Sequence, residues 1–156
     1  MYHLNLLELT ERLFVAPEFQ QYDQTLLRRV ASNIYYAVFN LLTEDGAQLL
    51  LPTTGSARAA TRAFSHMEMR KAADRLTDKK IQDPSNSLSD MFEVAHRSQI
   101  AILSQLFIDY QQLRHAADYD FSVPIQRIEV QQALADARRF FEIYHRLKTS
   151  TPDVLK

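Results

Sequence analysis

The chain contains two glycines in 156 residues, and this scarcity restricts the folds that it can adopt. A protein of this length has roughly eleven glycines on average, and sheet proteins depend on glycine and proline for their many turns. Stretches rich in Leu, Ala, Arg and Gln favour helices instead. The sequence therefore excludes an all-β fold and predicts an all-α fold.

Apolar residues recur at helical spacing in five segments. They predict helices over residues 2–14, 18–43, 56–80, 85–123 and 124–147, with loops at 52–56 and 82–87. The stripe of the third helix is the least regular and allows a break near Ser65. Gly46 is the predicted end of the second helix, and Ser56 and Ser87 are the predicted N-caps of the third and fourth. Short connections between long helices favour an antiparallel four- to five-helix bundle. We expect one domain over residues 1–156, with a frayed tail at 149–156.

The apolar stripes also predict which helix faces are packed. In the first helix the stripe is Leu6, Leu9 and Leu13. In the second it is Leu27, Val30, Ile34, Val38 and Leu41. In the last helix Val130, Leu134, Ala137, Phe141 and Tyr144 alternate by four and three, which is the spacing of a heptad seam.

Several classes of function are excluded or made improbable by what the sequence lacks. The chain has no cysteine, so it cannot form a disulfide, a thiolate metal site or a cysteine nucleophile. None of the five histidines lies four residues from another, so we expect no metal site and no cofactor. The first residues lack the basic segment of a secretory signal, and no stretch approaches the ~20 apolar residues of a membrane span. We expect a soluble, cytoplasmic protein.

The net charge of −1 conceals a basic segment at residues 58–80, which contains seven Lys or Arg and three Asp or Glu. A basic stripe in this segment has members four residues apart: Arg58, Arg62, His66 and Arg70. On one helix such a stripe would follow the phosphates of a single strand of nucleic acid. The alternative is a solvated helix face, partly neutralised by Glu68 and Asp74.

A second candidate site lies near the end of the longest predicted helix. Arg114 and Asp118 are four residues apart and can pair on one helix face. Arginine binds phosphate through a planar fork of donors, and Tyr119 adds an aromatic face and a hydroxyl group. The pair therefore fits either a phosphate site or a structural salt bridge at a helix end.

Two segments resemble the motifs of the HEPN domain family. The first, Ser32-Asn-Ile-Tyr-Tyr-Ala-Val-Phe39, resembles the signature Ser-x-x-Tyr-Tyr-Ala-x-Phe of that family. The second runs from Arg114 to Tyr119 and is similar to its Arg-x-x-Ala-Asp-Tyr motif. His66 matches a histidine that members often carry after the following loop. The resemblance covers residues 20–147, which is most of the chain.

The resemblance implies a helical bundle that forms a homodimer and binds RNA or a nucleotide. It also implies a role in a prokaryotic toxin–antitoxin or defence system, with a nucleotidyltransferase-type partner protein. The expected ligand-binding residues are Arg114, Asp118, Tyr119, Tyr36 and His66.

The family's active members resemble metal-independent ribonucleases that use an Arg-x(4–6)-His motif. Here Tyr119 occupies the fifth position after Arg114, and a tyrosine with a pKa near 10 is a poor general base. Arg114 and Tyr119 are therefore only candidates for catalysis. Two alternatives to a binding protein are a structural adaptor that binds a protein partner and a degenerate metal-independent ribonuclease.

We predict that the protein is a two-fold homodimer, because two-fold pairing is the commonest soluble assembly. Tyr35 lies beside the stripe of the second helix, and it should leave apolar surface after one core is filled. Light scattering should give about twice the chain mass of 18.1 kDa. A mass near 18.1 kDa at micromolar concentration would contradict the prediction.

Overall fold

The computed structural model describes residues 2–50 and 64–150, which form helices joined by turns, with no strand in these ranges. The α-helices are α1 (Tyr2–Val15), α2 (Asp23–Leu50), α3 (His66–Arg75), α4 (Asp78–Ile81), α5 (Val94–Tyr119) and α6 (Arg127–Ser150). Single 3-10 segments occupy Pro17–Tyr22 and Ser89–Met91. The prediction of an all-α helical bundle is confirmed. None of the described helices is both long and apolar enough to cross a membrane.

The chain divides into two compact units, and the three longest helices contribute residues to both. Unit 1 consists of Met1–Leu42 and Asp109–Arg138. It contains α1, most of α2, the end of α5 and the first half of α6. Unit 2 consists of Thr43–Ile108 and Arg139–Lys156, and it contains α3 and α4.

The predicted packing faces of α2 and α6 are confirmed. Every member of the α2 stripe is at most 1% exposed. Along the α6 seam, Val130, Leu134, Ala137 and Phe141 are buried, and Tyr144 is half-buried. Tyr35 is completely buried, so it leaves no apolar surface, contrary to the expectation from its place beside the stripe.

The predicted packing face of α1 is only partly correct, because Leu6 and Leu13 are half-buried but are not the residues that it buries fully. Its buried residues are His3, Leu7 and Thr10, whereas Leu9 is 60% exposed. The Thr10 hydroxyl donates a hydrogen bond of 2.6 Å to the Leu6 carbonyl oxygen, which offsets the cost of burying it. A stripe defined by apolar residues alone could not find a packed face that contains polar side chains.

The second helix begins and ends later than predicted. A 3-10 segment precedes it, and α2 then runs from Asp23 through Gly46 to Leu50. Gly46 does not have the left-handed φ that ends many helices. Instead, the Phe64 ring lies against it, and a Cβ atom at this position would be 3.1 Å from Phe64 Cζ. The missing side chain makes room for a ring.

The long helix predicted from residue 85 begins at Val94, and Ser87 does not cap it. The chain before it makes local side-chain hydrogen bonds that compete with a helix. Asp83 Oδ1 accepts from the Ser85 amide at 2.8 Å, and Asn86 Oδ1 accepts from the Leu88 amide at 3.2 Å. Because of these turns, the helix begins at Val94 and not at residue 85.

The last helix begins three residues after Pro124, at Arg127, and not in the turn that contains the proline. The Glu129 carboxylate accepts a hydrogen bond of 3.2 Å from the Gln126 amide, as in one half of a capping box. The helix then continues through Ser150, so the first two residues of the predicted tail, 149 and 150, are helical. Residues 151–156 lie outside the described ranges.

The break near Ser65 that the irregular stripe of the third predicted helix allowed is confirmed. Ser65 is extended (φ −90°, ψ 145°), and its side chain accepts a hydrogen bond from the Glu68 amide, so α3 begins at His66. This helix ends at Arg75, and after a short turn the separate helix α4 begins at Asp78. The loop predicted at 52–56 and the predicted cap Ser56 lie outside the described residues.

The contact between Gly46 and Phe64 predicts a coupling between two substitutions. Alanine favours an α-helix over glycine by about 1 kcal/mol, but in the wild type its Cβ would press on the ring. Gly46→Ala should therefore stabilise the protein more in a Phe64→Ala background than in the wild type. Denaturant unfolding of the four variants measures the difference. Equal effects in both backgrounds would contradict the packing explanation.

Candidate functional site

The two segments that carry the family resemblance meet in unit 1. Tyr36 lies on α2, and Arg114 and Tyr119 lie on the last turns of α5. Arg114 Nη2 donates one hydrogen bond of 2.8 Å to the Tyr36 hydroxyl and another of 2.9 Å to the Tyr119 hydroxyl. The guanidinium therefore joins a residue of α2 to the end of α5.

Asp118 completes this cluster from the other side of the guanidinium. Its Oδ2 lies 2.8 Å from Arg114 Nε and accepts a hydrogen bond of 3.2 Å from Ser32 Oγ. The short separation defines an ion pair, although the Nε–H is not directed well enough to form a hydrogen bond. Ser32 is buried, so α2 fixes the carboxylate that in turn orients Arg114. We call Ser32, Tyr36, Arg114, Asp118 and Tyr119 the Arg114 cluster.

Three tyrosine rings surround the guanidinium. The Arg114 Cζ atom lies 5.9 Å from the centroid of the Tyr35 ring, 5.4 Å from that of Tyr36 and 4.8 Å from that of Tyr119. Ring faces attract a cation within about 6 Å. The rings and hydroxyls together hold one rotamer of a side chain that is otherwise flexible.

Opposing effects act on the protonation of the cluster. Burial lowers the pKa of Arg114, but electrostatic interactions with Tyr36, Asp118 and Tyr119 and the hydrogen bond to Tyr36 outweigh it, so the net pKa is raised. Burial raises the pKa of Tyr35, against a smaller opposite effect of Arg114. Arg114 is thus a permanent cation beside a neutral Tyr35 at physiological pH.

The cluster leaves two donors directed toward no acceptor among the described residues. Arg114 Nη1 donates to no protein atom there, and the Tyr119 hydroxyl accepts from Arg114 without donating to another group. Tyr119 is 61% exposed, whereas the Arg114 side chain is 16% exposed. An anion that reaches this point would meet a held cation and an adjacent O–H donor.

Arg28 holds the end of α5 in place. Its Nη1 donates to the carbonyl oxygens of Ala116, Ala117 and Asp120 at 2.9–3.1 Å, and its Nη2 donates to that of Val123 at 2.7 Å. The last carbonyls of a helix lack partners within the helix and carry partial negative charge. One guanidinium satisfies them and so fixes the turn that carries the Arg114 cluster.

The loop after α5 is fixed at both of its ends. Asp120 Oδ1 accepts hydrogen bonds from the amide and hydroxyl of Ser122 at 3.1 and 2.5 Å, and the hydroxyl bond is the largest cause of the lowered pKa of Asp120. The Gln24 side chain bonds both backbone groups of Ile125, at 2.9 and 3.0 Å. The loop is anchored directly to α2.

The structure thus brings together four of the predicted ligand residues, namely Tyr36, Arg114, Asp118 and Tyr119. The fifth, His66, belongs to unit 2, as does Arg70. Arg58 and Arg62 lie outside the described residues. Because Ser65 is extended and α3 begins at His66, the helix that carries His66 and Arg70 does not continue back through residue 65.

Three residues that shape the site were not predicted from the sequence: Ser32, Arg28 and Gln24. Ser32 and Tyr36 are four residues apart, so they share a face of α2, and this spacing was the available signal. The bonds of Arg28 and Gln24 reach chain positions about 90–100 residues away, and no local pattern encodes such a contact.

His115 is the histidine nearest in sequence to Arg114. Its ring packs against that of Tyr119, with the centroids 5.3 Å apart, and it is not among the hydrogen-bond partners of the guanidinium in the described structure. Within residues 2–50 and 64–150, no group of three or more His, Asp or Glu residues is placed to hold a metal ion.

Comparisons of the chain with family models, with curated proteins and with solved structures gave no match. The resemblance to the HEPN family therefore stays a prediction that depends on the residues of the two motifs.

The role of Arg28 predicts a marked effect on stability. Arg28→Ala leaves two carbonyl groups of α5 and two of the following loop without this donor and should lower the free energy of unfolding by roughly 2–3 kcal/mol. Arg29→Ala is the matched control, because that side chain is exposed, and its effect should stay within about 0.5 kcal/mol. Denaturant unfolding compares the two variants, and equal losses would contradict the capping role.

Proposed function

We propose that the protein binds RNA or a nucleotide through a phosphate group held by the Arg114 cluster. The observation that supports this most is the pair of donors without acceptors among the described residues, Arg114 Nη1 and the Tyr119 hydroxyl. Phosphate oxygens accept such hydrogen bonds strongly when the donor is a guanidinium. The chemistry fits a phosphate monoester or diester.

The fixed position of Arg114 favours binding by reducing its entropic cost. A free arginine loses roughly 2 kcal/mol of rotamer entropy when a ligand immobilises it. Here Tyr36, Asp118 and the surrounding rings have already fixed the side chain. Asp118 neutralises part of the charge on the Nε side, whereas Nη1 stays available to an anion.

The resemblance to the HEPN family supports the same function, because its two motifs contribute the members of one cluster. It also suggests membership of a toxin–antitoxin or defence system with a nucleotidyltransferase-type partner, and a homodimer. Tyr119 replaces the histidine of the ribonuclease motif, so we propose binding without cleavage.

Substitution of Arg114 tests the proposal directly. Arg114→Ala should weaken binding of a fluorescein-labelled single-stranded oligoribonucleotide by roughly 1.5–3 kcal/mol, because it removes a charge-assisted hydrogen bond. Arg114→Lys should lose much of the same affinity, since an ammonium group lacks the planar fork. Fluorescence anisotropy at low salt measures both, with AMP as a competitor to detect binding of a lone nucleotide.

Arg139→Ala is the matched control for charge, because Arg139 is exposed and belongs to unit 2. This variant should bind like the wild type. If the wild type binds neither RNA nor AMP at low salt, the proposal fails and the structural adaptor becomes the better interpretation. If metal-free wild type degrades the RNA and Arg114→Ala does not, the protein is instead a ribonuclease.

Asp118→Ala separates a binding cluster from a purely structural salt bridge. If Asp118 orients Arg114 for a ligand, the substitution should weaken RNA binding at least severalfold. Because a partly exposed pair contributes little to stability, the melting temperature should shift by no more than about 2–4 °C. A larger loss of stability with unchanged affinity would show that the pair is only structural.

A further inference from the structure

The loop between α5 and α6 exposes an aromatic ring that the Arg114 cluster does not use. Phe121 is 76% exposed, more than any other large hydrophobic side chain that the structure describes. Burying a phenylalanine stabilises a protein by about 1.5–3 kcal/mol, so an exposed ring forgoes that gain. The loop that carries it is fixed by the Asp120–Ser122 and Gln24–Ile125 hydrogen bonds.

A fixed cation lies against this ring. The Arg28 Cζ atom is 5.0 Å from the centroid of the Phe121 ring, within cation–π distance. Arg28 is itself held by its bonds to the carbonyl oxygens at the end of α5. The ring is therefore supported where it meets the protein, and most of its area faces solvent.

A second exposed ring, that of Tyr119, lies in the chain between Phe121 and Arg114. Tyr119 is two residues away in the chain, is 61% exposed and is hydrogen-bonded to Arg114. Its ring packs beside that of His115. The protein thus presents phosphate donors and two exposed aromatic rings within a few residues, which is the combination that binds single strands.

We propose that an unpaired base stacks on Phe121 while a neighbouring phosphate binds the Arg114 cluster, so that the ligand is single-stranded RNA. This inference rests on the proposed function and specifies its ligand. A duplex keeps its bases stacked on one another, and inorganic phosphate has no base, so neither would use the ring. Cations offset the two nearby carboxylates, because Asp118 is paired with Arg114 and Asp120 interacts electrostatically with Arg28.

The absence of tryptophan from the chain allows a direct test of stacking. In Phe121→Trp the indole is the only one in the protein, and a stacked base should quench its fluorescence. Single-stranded RNA should quench it, whereas the same RNA annealed to its complement should not. Ile128→Trp places the indole at another exposed apolar position of unit 1 and should show no quenching by either RNA.

The affinities of two further variants complete the test. Phe121→Ala should weaken binding of single-stranded RNA by about tenfold to a hundredfold while leaving the weaker binding of duplex RNA unchanged. Ile128→Ala should bind both as the wild type does, and Phe121→Trp should retain the affinity that Phe121→Ala loses. Thermal melts of each variant verify that it is folded.

The results separate the two proposals. If Arg114→Ala loses RNA binding but Phe121→Ala does not, stacking is overturned and the phosphate site remains. Equal quenching of the tryptophan at positions 121 and 128 would also overturn stacking. If the wild type binds no RNA, stacking of an RNA base is overturned, and the proposed function survives only if AMP binds in an Arg114-dependent way.

Discussion

The bonds from Arg28 to the end of α5 are the interaction on which the rest of the site depends. They satisfy four carbonyl oxygens near a helix C-terminus, where a cation also interacts favourably with the helix dipole. The last turn of α5 carries Asp118 and Tyr119, and Phe121 rests against Arg28 itself. A single side chain of α2 thus fixes the turn that carries Asp118 and Tyr119 and supports the exposed ring.

The Arg114 cluster shows how a partly buried charge is maintained. Desolvation opposes the charged form of Arg114, yet the effects of Tyr36, Asp118 and Tyr119 exceed it. Replacing such a cluster by apolar residues is often neutral or stabilising, so its contribution to folding is not a sufficient reason for its arrangement. A fixed guanidinium with an open nitrogen is the arrangement that the proposed phosphate ligand would require.

The sequence predicted the fold where burial follows simple periodicity. The stripe of α2 and the seam of α6 are apolar and packed, as expected. The prediction failed where polar residues are buried, as with His3 and Thr10 in α1, and where side chains bond the local backbone, as with Asp83 and Asn86 before α5. Periodicity records neither kind of interaction.

The site was predictable from the sequence only where its contacts join residues that are close along the chain. The Arg114–Asp118 pair is a local contact between residues four apart, and its spacing is visible in the sequence. The bonds of Ser32 to Asp118 and of Arg28 to the α5 end join positions more than 80 residues apart, so they depend on how the helices pack. In the sequence alone, only the resemblance to the HEPN family linked the motif of α2 to the motif at the end of α5.

A net charge of −1 sets a limit on how this protein could hold a polyanion. No general positive field attracts a nucleic acid to it, and a single phosphate contact gives a shallow salt dependence, with a slope of about −0.7 for a single strand. One charge-assisted contact contributes only about 1.5–3 kcal/mol, which is far less than the roughly 8 kcal/mol of a micromolar complex. Uncharged contacts would have to supply most of the remainder.

Stacking of bases on exposed rings contributes about 1–3 kcal/mol for each base, and Tyr119 and Phe121 are the exposed rings that adjoin the donors. Affinity at this site should therefore depend more on unpaired bases than on the number of phosphates.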